Sequence, residues 1–394
     1  MSQLMEETYS IQEDIIKWRR ELHKIPELDL YLPETSKYVI EELNKIHIKT
    51  KLLKSCSGII GLIEGKLPGK NIAIRADMDG LPIKEETGLA FSSINNNMHA
   101  CGHDSHIAML LGAAKILVKN IDKIYGNVKL IFQPGEEGTG GAKLMIEEGV
   151  LENPHIDTII GQHIGNLFPY LKNGQIGVCS GTMMASQDHF TVKIKGKGTH
   201  GAYPANGIDP IVITSYVITA LQTLISRELN GTDSAVITIG RINGGKVYNV
   251  IPNEVEFEGS LRCLDKNIRR NFEKRIKDII SNTARAMRGE SEIEYIHGIP
   301  LLSNNKKITK SLIESAKKII GTENIVELKS PTMGSEDMSY FLEKVPGSFY
   351  FLSSVPLGKI YPHHNPKFDI NENVLWKGAA ILVQTVIDWL GDNH

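Results

Sequence analysis

Short, almost wholly apolar runs recur through the first half of the chain, and each ends in a residue able to do chemistry. "NIAIRAD" closes on Asp77, "NVKLIFQPGEE" runs into Glu136 and Glu137, and "IDTIIGQH" stops at His163. A strand with one wet face alternates apolar and polar positions. Runs without alternation fit strands buried on both faces, as in a mostly parallel sheet covered by helices. Between them, "SHIAMLLGAAKILVKN" sets Ile107, Leu110, Leu111, Ala114 and Leu117 at helical spacing, with Asp104 or Ser105 as the expected N-cap. Strands alternating with helices indicate an α/β architecture.

The texture changes near residue 187. "DHFTVKIKGKGTHG" alternates in and out, and a helical stretch follows, "DPIVITSYVITALQTLISREL". Then come the strands "SAVITIGRING" and "NEVEFEGSLRC", the helix "NIRRNFEKRIKDIISNTARAMR" and the strand "SEIEYIHG". The order β-α-β-β-α-β is the split, ferredoxin-like α+β arrangement. "NGGK" (243–246) reads as a hairpin turn. Beyond Gly298 the α/β texture resumes, with "GSFYFLSS" as a further buried strand. The expectation is therefore an α/β domain in two parts, 1–186 and 299–394, interrupted by an inserted domain over 187–298.

A length of 394 residues suits two cores better than one. The formal charge of −2 offers no basic excess for nucleic acid. The N-terminal stretch is acidic and amphipathic without the apolar core of a signal peptide. No uninterrupted run of about 18 apolar residues suggests a membrane span. Cys56, Cys101, Cys179 and Cys263 show no disulfide-framework spacing, which points to reduced thiols and a cytoplasmic setting.

"MHACGHDSH" (98–106) packs His99, Cys101, His103 and His106 around Asp104. Cys101 and His103 would stand on the loop entering a helix, while Asp77, Asp79, Glu136, Glu137, His163, His363 and His364 all follow strands. In an open α/β sheet, sites form beyond the carboxyl ends of the strands. Thiolate, imidazole and carboxylate together suit zinc or another borderline first-row ion. Cys101, His103, Glu137, His163 and one of His363 or His364 give five ligands, more than one tetrahedral ion needs. Two ions about 3.5–4 Å apart would use them. Glu136 is then left to carry protons, and Asp77 to hold a ligand imidazole in the right tautomer. His23, His47, His155, His189 and His297 read as ordinary core or surface histidines.

"RADMDGLPI", "MHACGHDSHIAMLLGAA", "FQPGEEGTGGAKLMIEEG" and "HHNPKFDINE", in that order, resemble the M20 metallopeptidase family across nearly the whole chain. The branch they resemble most is the amidohydrolase subgroup of aminoacylases, hippurate hydrolases and auxin-conjugate hydrolases. The resemblance implies a two-metal domain with an inserted dimerisation (lid) domain, and metal ligands at Cys101, His103, Glu137, His163 and His364. It implies a general base at Glu136. Where the wider family has a ligand histidine two residues before the motif aspartate, this chain has Arg75, and Cys101 is taken to replace that ligand. His200, in "GKGTHGAYPANG", is implied to reach the partner subunit's site and polarise the scissile carbonyl. Asn249 and Arg262 are implied to hold the substrate carboxylate, with Gly334 and Ser335 lining the same pocket.

The function so expected is hydrolysis of N-acyl-L-amino acids to a carboxylate and a free amino acid. It would use two divalent ions per subunit, zinc or manganese before nickel or cobalt, in a homodimer or tetramer. The alternative keeps the site and changes the substrate: a dipeptidase or carboxypeptidase, or a deacetylase of the N-acetyl-diaminopimelate or N-acetylcysteine type. Two other readings are a Cys101 thiol nucleophile beside His103 and a non-catalytic metal or ligand binder.

Overall fold

The computed structural model describes residues 3–393, which fall into two compact units. The first comprises the chain up to Gly181, Ser303–Lys329 and the segment from Asp337 onward; the second comprises Thr182–Leu302 and Ser330–Glu336. The second unit thus begins and ends four to five residues outside the expected 187–298. It also takes in 330–336, which the expected boundaries place in the second part of the α/β domain. Backbone hydrogen bonds explain that grouping: Thr332 donates to the Met183 carbonyl at 3.0 Å, and Ala185 donates to Thr332 and Gly334 at 3.1 and 2.9 Å.

The first unit is built on an eight-stranded sheet. Its strands run in the order Lys49–Leu52, Ile59–Glu64, Tyr125–Gln133, Leu67–Asp77, Thr158–Gly165, Gly347–Ser353, Ile176–Val178, Ile325–Glu327. The third to sixth of these pair in parallel. Thr158–Gly165 and Gly347–Ser353 are buried at every position, which is why their sequences do not alternate. Helices His103–Lys119, Lys306–Ile320 and Leu375–Asp392 pack on this sheet and on one another. The last is, among the described residues, the one helix long and apolar enough to cross a membrane, a segment the sequence reading passed over. Here it is mostly buried against protein.

In the second unit, Ser186–Lys195, Ala235–Gly244, Glu254–Cys263 and Glu290–Ile296 form an antiparallel sheet. With these strands numbered one to four in chain order, the spatial order is 2-3-1-4, the ferredoxin-like topology. The alternating strand Ser186–Lys195 turns Phe190, Val192 and Ile194 into a core shared with Ile213, Val217 and Leu221 of one helix and Phe272, Ile276 and Ile280 of the other. "NGGK" does not make a tight hairpin. The chain leaves the sheet after Gly244, pairs Val250–Ile251 with Thr199–His200, and rejoins it at Glu254.

The His103–Lys119 helix starts differently from the sequence expectation. Its N-cap is Gly102, at φ 88, a left-handed conformation that glycine adopts without strain. Asp104 is instead drawn into an ionic cluster. Its Oδ2 accepts from Arg19 Nε at 2.9 Å and from His23 Nδ1 at 2.7 Å, and its Oδ1 accepts from the Ser105 N–H at 2.8 Å. The other nitrogen of His23 lies 3.3 Å from Glu85. Burial and Arg19 oppose charge on His23, yet Asp104 and Glu85 hold its pKa above the ordinary value. Burial likewise opposes ionisation of Glu85, but bonds from His23, Thr87 and the Ser93 N–H bring it from 4.5 to about 2. Because the folded value is the lower one, Glu85 adds stability above about pH 4.5 that is lost as pH falls toward 2. Urea unfolding between pH 5 and pH 2 checks this: the Glu85→Gln variant should lose less stability across that window than the parent chain.

Candidate metal centre

Four adjacent parallel strands put their carboxyl ends on one edge of the sheet. Asp77 and Gln133 end two of them, His163 lies near the end of the third, and the loop carrying His363 and His364 follows the fourth. The edge is therefore a consequence of strand direction, and it is where α/β sheets form their sites. Cys101 and His103 reach it from the turn that opens the His103–Lys119 helix.

Both ring nitrogens of the two inner histidines are accounted for by geometry. His103 Nδ1 donates to the Asp79 carbonyl at 2.8 Å, and His163 Nδ1 to the Ile164 carbonyl at 2.8 Å. In its neutral form each ring therefore offers the lone pair of Nε2. That of His163 lies 3.4 Å from Cys101 Sγ, while that of His103 is buried without a hydrogen-bond partner. Glu137 Oε1 is also buried with no hydrogen bond of acceptable geometry, although His364 Nε2 stands 3.2 Å away. Donor atoms gather within 4.8 Å of one another as Cys101–His103–His163, as Cys101–Glu137–His364, and as His103–Glu136–Glu137. Buried polar atoms left without partners are rare in native proteins. A thiol, imidazoles and carboxylates converging around such atoms fit a first-row divalent ion. The five expected ligands are thus brought together.

His363 and His106 stand in the same neighbourhood but are otherwise engaged. His363 Nε2 donates to the Ile164 carbonyl at 3.2 Å, and its ring packs on Phe368 and His163. Burial lowers its pKa to about 4. His106 bonds Asp77 through Nδ1 at 2.5 Å, and its Nε2 accepts the Ile164 N–H at 2.8 Å, so no lone pair remains for a cation. Asp77 consequently orients His106, whereas the tautomer of His103 is held by the Asp79 carbonyl; Asp77 stands 3.6 Å from His103 Nε2. Burial pushes the Cys101 thiol up to about 12, so by itself it is a neutral group at physiological pH.

Beneath this layer Arg75 is fully buried, bonding Asp77 at 2.9 Å, Asp337 at 2.7 Å and Gln133 at 2.9 Å. Asp337 also accepts from Gln133 Nε2 and the Ala142 N–H. The sequence reading missed Gln133, Asp337 and the role of Asp79. Of these, only Asp79 carried a signal, its place in "RADMDG" two residues beyond the strand.

The turn carrying the glutamates is tight. Gly141 N–H bonds the Gly135 carbonyl at 3.1 Å, and a Cβ on Gly141 would lie 1.6 Å from the Pro134 oxygen. Glu136 is 8% exposed, with Oε2 4.0 Å from His103 Nε2.

The remaining expected residues belong to the second unit and form two groups. Arg262 is half-buried and donates through Nη1 to the Met333 carbonyl at 3.0 Å and to Ser335 Oγ at 3.5 Å. Ser335 Oγ donates to Gln187, and the Gly334 N–H to Thr332 Oγ1. His200 and Asn249 are exposed and adjacent, since His200 pairs with Val250 and the Gly201 N–H bonds the Asn249 carbonyl at 2.8 Å. These two lie beyond the Glu254 end of the strand whose other end carries Arg262, roughly 27 Å along at about 3.4 Å per residue.

The sequence pattern of peptidase family M20/M25/M40 matches residues 73–388. Thermostable carboxypeptidase 1 of Saccharolobus solfataricus is 38% identical, covering 96% of both chains. N-acetyl-L-cysteine deacetylase of Bacillus subtilis is 37% identical, over 98% of this chain and 90% of its own. IAA-amino acid hydrolase ILR1-like 2 of Arabidopsis thaliana is 39% identical, over 95% and 85%. Among solved structures, the Bacillus subtilis YXEP protein, described as a dinuclear metal binding peptidase from the M20 family, superposes with a TM-score of 0.85. It is 32% identical, over 97% of this chain and 99% of its own.

Gly141→Ala tests how far the site depends on its glutamate turn. The methyl group forces the Pro134–Gly141 backbone apart, so stability should fall by about 1–3 kcal/mol and Mn²⁺ binding should weaken. Gly231→Ala, where a Cβ meets nothing within 4 Å, should change neither. Calorimetric melting and metal titration of the two variants read both effects.

Proposed function

The chain belongs to peptidase family M20/M25/M40 and is a hydrolase of that family's amidohydrolase and deacetylase kind. From that premise we propose that it cleaves the amide bond of N-acyl-L-amino acids with two divalent ions held by Cys101, His103, Glu137, His163 and His364. The observation that carries this reading is the convergence of those five donors on one sheet edge, with Glu136 beside Glu137. Once bound, the ions would supply Lewis acidity, lowering the pKa of water and polarising the amide carbonyl. A thiolate-and-imidazole donor set favours zinc, or manganese where supply dictates.

In the reaction so proposed, Glu136 takes a proton from the attacking water as its oxygen bonds the carbonyl carbon. His200 donates an imidazole N–H to the oxyanion that develops. Arg262 holds the amino-acid carboxylate, which suits the planar, two-pronged guanidinium, with Gly334 and Ser335 lining that pocket; Asn249, which neighbours His200, reaches the same carboxylate from the partner subunit. Glu136 then passes its proton to the nitrogen as the C–N bond breaks, releasing acid and free amino acid. A thiol mechanism is disfavoured because burial keeps Cys101 protonated. The relative named for carboxypeptidase activity makes dipeptides the nearest competing substrates, while the one named as an N-acetyl-L-cysteine deacetylase points to acetyl as one acyl group within the proposed class. Four free thiols support a reducing, cytoplasmic location.

His200 is proposed to act in a homodimer, on the partner's site, because it stands at the far end of the strand from Arg262. The second unit offers a surface for such pairing. Strand Ala235–Gly244 is a sheet edge with Val236 and Ile242 exposed, and the helix Pro210–Arg227 exposes Ile211, Val212 and Tyr216. An unprotected edge with apolar neighbours invites a partner.

Glu136→Gln should retain two ions by elemental analysis while turnover falls about 10²–10⁴-fold. Chelation should abolish parent activity and Mn²⁺ or Zn²⁺ should restore it. A panel of N-acetyl, N-benzoyl and indoleacetyl amino acids with dipeptides identifies the acyl group. Near-normal turnover in Glu136→Gln removes that residue from its role. Mixing His200→Ala chains with Glu136→Gln chains should recover up to about a quarter of parent activity if sites are shared in a twofold dimer. Confirmed heterodimers without activity contradict sharing.

A further inference from the structure

Resting on the two-metal reading, we propose that Asp79 is the positioning residue of the centre. From one point it fixes the direction of both glutamates and the nitrogen that His103 presents. Asp79 is 1% exposed and follows the strand end at Asp77 by two residues. Its Oδ1 accepts the Glu136 N–H at 3.0 Å and its Oδ2 accepts the Glu137 N–H at 3.0 Å. Its carbonyl takes the Nδ1 proton of His103 at 2.8 Å.

Adjacent side chains leave the backbone in different directions. In a two-residue "EE" turn, rotation of the intervening peptide would therefore exchange or misdirect ligand and base. Two consecutive N–H groups pinned to the two oxygens of one carboxylate prevent that rotation. A carboxylate is a stronger acceptor than a neutral oxygen, and here both of its oxygens are used. The anchor is itself held, since Gly80 N–H bonds the Glu27 carbonyl at 2.7 Å. Leu81 and Met98 exchange backbone bonds at 2.9 and 3.0 Å, which ties the segment to the stretch leading into Cys101. Only a carboxylate serves here. An amide of the same shape has one acceptor oxygen, and its NH₂ would face a backbone N–H, donor against donor.

The test is calorimetric titration of chelator-treated protein with Mn²⁺ alone. Asp79→Asn should weaken the Mn²⁺ Kd by about 10–100-fold, the usual effect of removing a group that orients ligands. The melting temperature of the metal-free protein should stay within a few degrees of the parent. At saturating Mn²⁺, kcat should fall while KM is unchanged. Asp157→Asn is the control: its carboxylate also accepts a backbone N–H, from Asn71 at 2.8 Å, but at the opposite end of the strands, so it should leave the Mn²⁺ Kd alone. A folded Asp79→Asn that binds Mn²⁺ as the parent does overturns this inference and leaves the two-metal reading standing. A parent that takes up no Mn²⁺ overturns both. Should Asp79→Asn fail to fold, amide exchange in the parent decides. Slow exchange at Glu136 and Glu137 in the metal-free protein is expected, and unprotected exchange at both overturns the proposal.

Discussion

Two backbone carbonyls determine what this centre can hold. By taking the Nδ1 protons of His103 and His163, Asp79 and Ile164 force each ring to present Nε2 inward. Without those bonds a buried imidazole could turn a proton toward the site and repel a cation. The carbonyls are themselves fixed by strand geometry. Ile164 lies in a fully buried parallel strand, and Asp79 follows the end of its neighbour. The Ile164 peptide serves three rings at once, accepting from His163 and His363 and donating to His106.

That arrangement concentrates ionisable groups where water is scarce. Arg75 compensates Asp77 and Asp337 behind the donors, and Arg19 and His23 compensate Asp104 in the first turn of the His103–Lys119 helix. Removing one partner of a buried pair leaves a charge uncompensated, typically at about 3–5 kcal/mol. The donor layer itself is less complete. A buried thiol pushed up to about 12 and an imidazole nitrogen and carboxylate oxygen without hydrogen bonds are what a cation would satisfy. It would convert the thiol to thiolate and supply the absent partner.

Much of this was legible because burial on both faces of a strand erases alternation. "NIAIRAD", "IDTIIGQH" and "GSFYFLSS" could be read as parallel strands, and their polar endings as one edge. The ferredoxin-like order was equally plain from alternating strands around amphipathic helices. What stayed hidden depended on tertiary partners. Asp104 looked like an N-cap, but a left-handed Gly102 starts the helix and Arg19 and His23 claim the carboxylate. Asp77 was given a ligand imidazole, yet its nearest ring is His106, a choice set by which helical turn faces the strand end. "NGGK" suggested a hairpin, whereas the chain detours to pair with Thr199–His200, an interaction between segments some fifty residues apart. His363 and His364 are alike as residue types; in the fold His363 bonds the Ile164 carbonyl, whereas His364 Nε2 stands 3.2 Å from Glu137.

The central claim is that five side chains grip two cations. Anomalous diffraction from crystals grown with Mn²⁺, collected on both sides of the metal absorption edge, tests it most directly. The account predicts two peaks per chain, bonded among them to Cys101, His103, Glu137, His163 and His364, with His106 and His363 outside bonding distance. A single peak, or a peak bonded to His363 or His106 in place of those ligands, would contradict it.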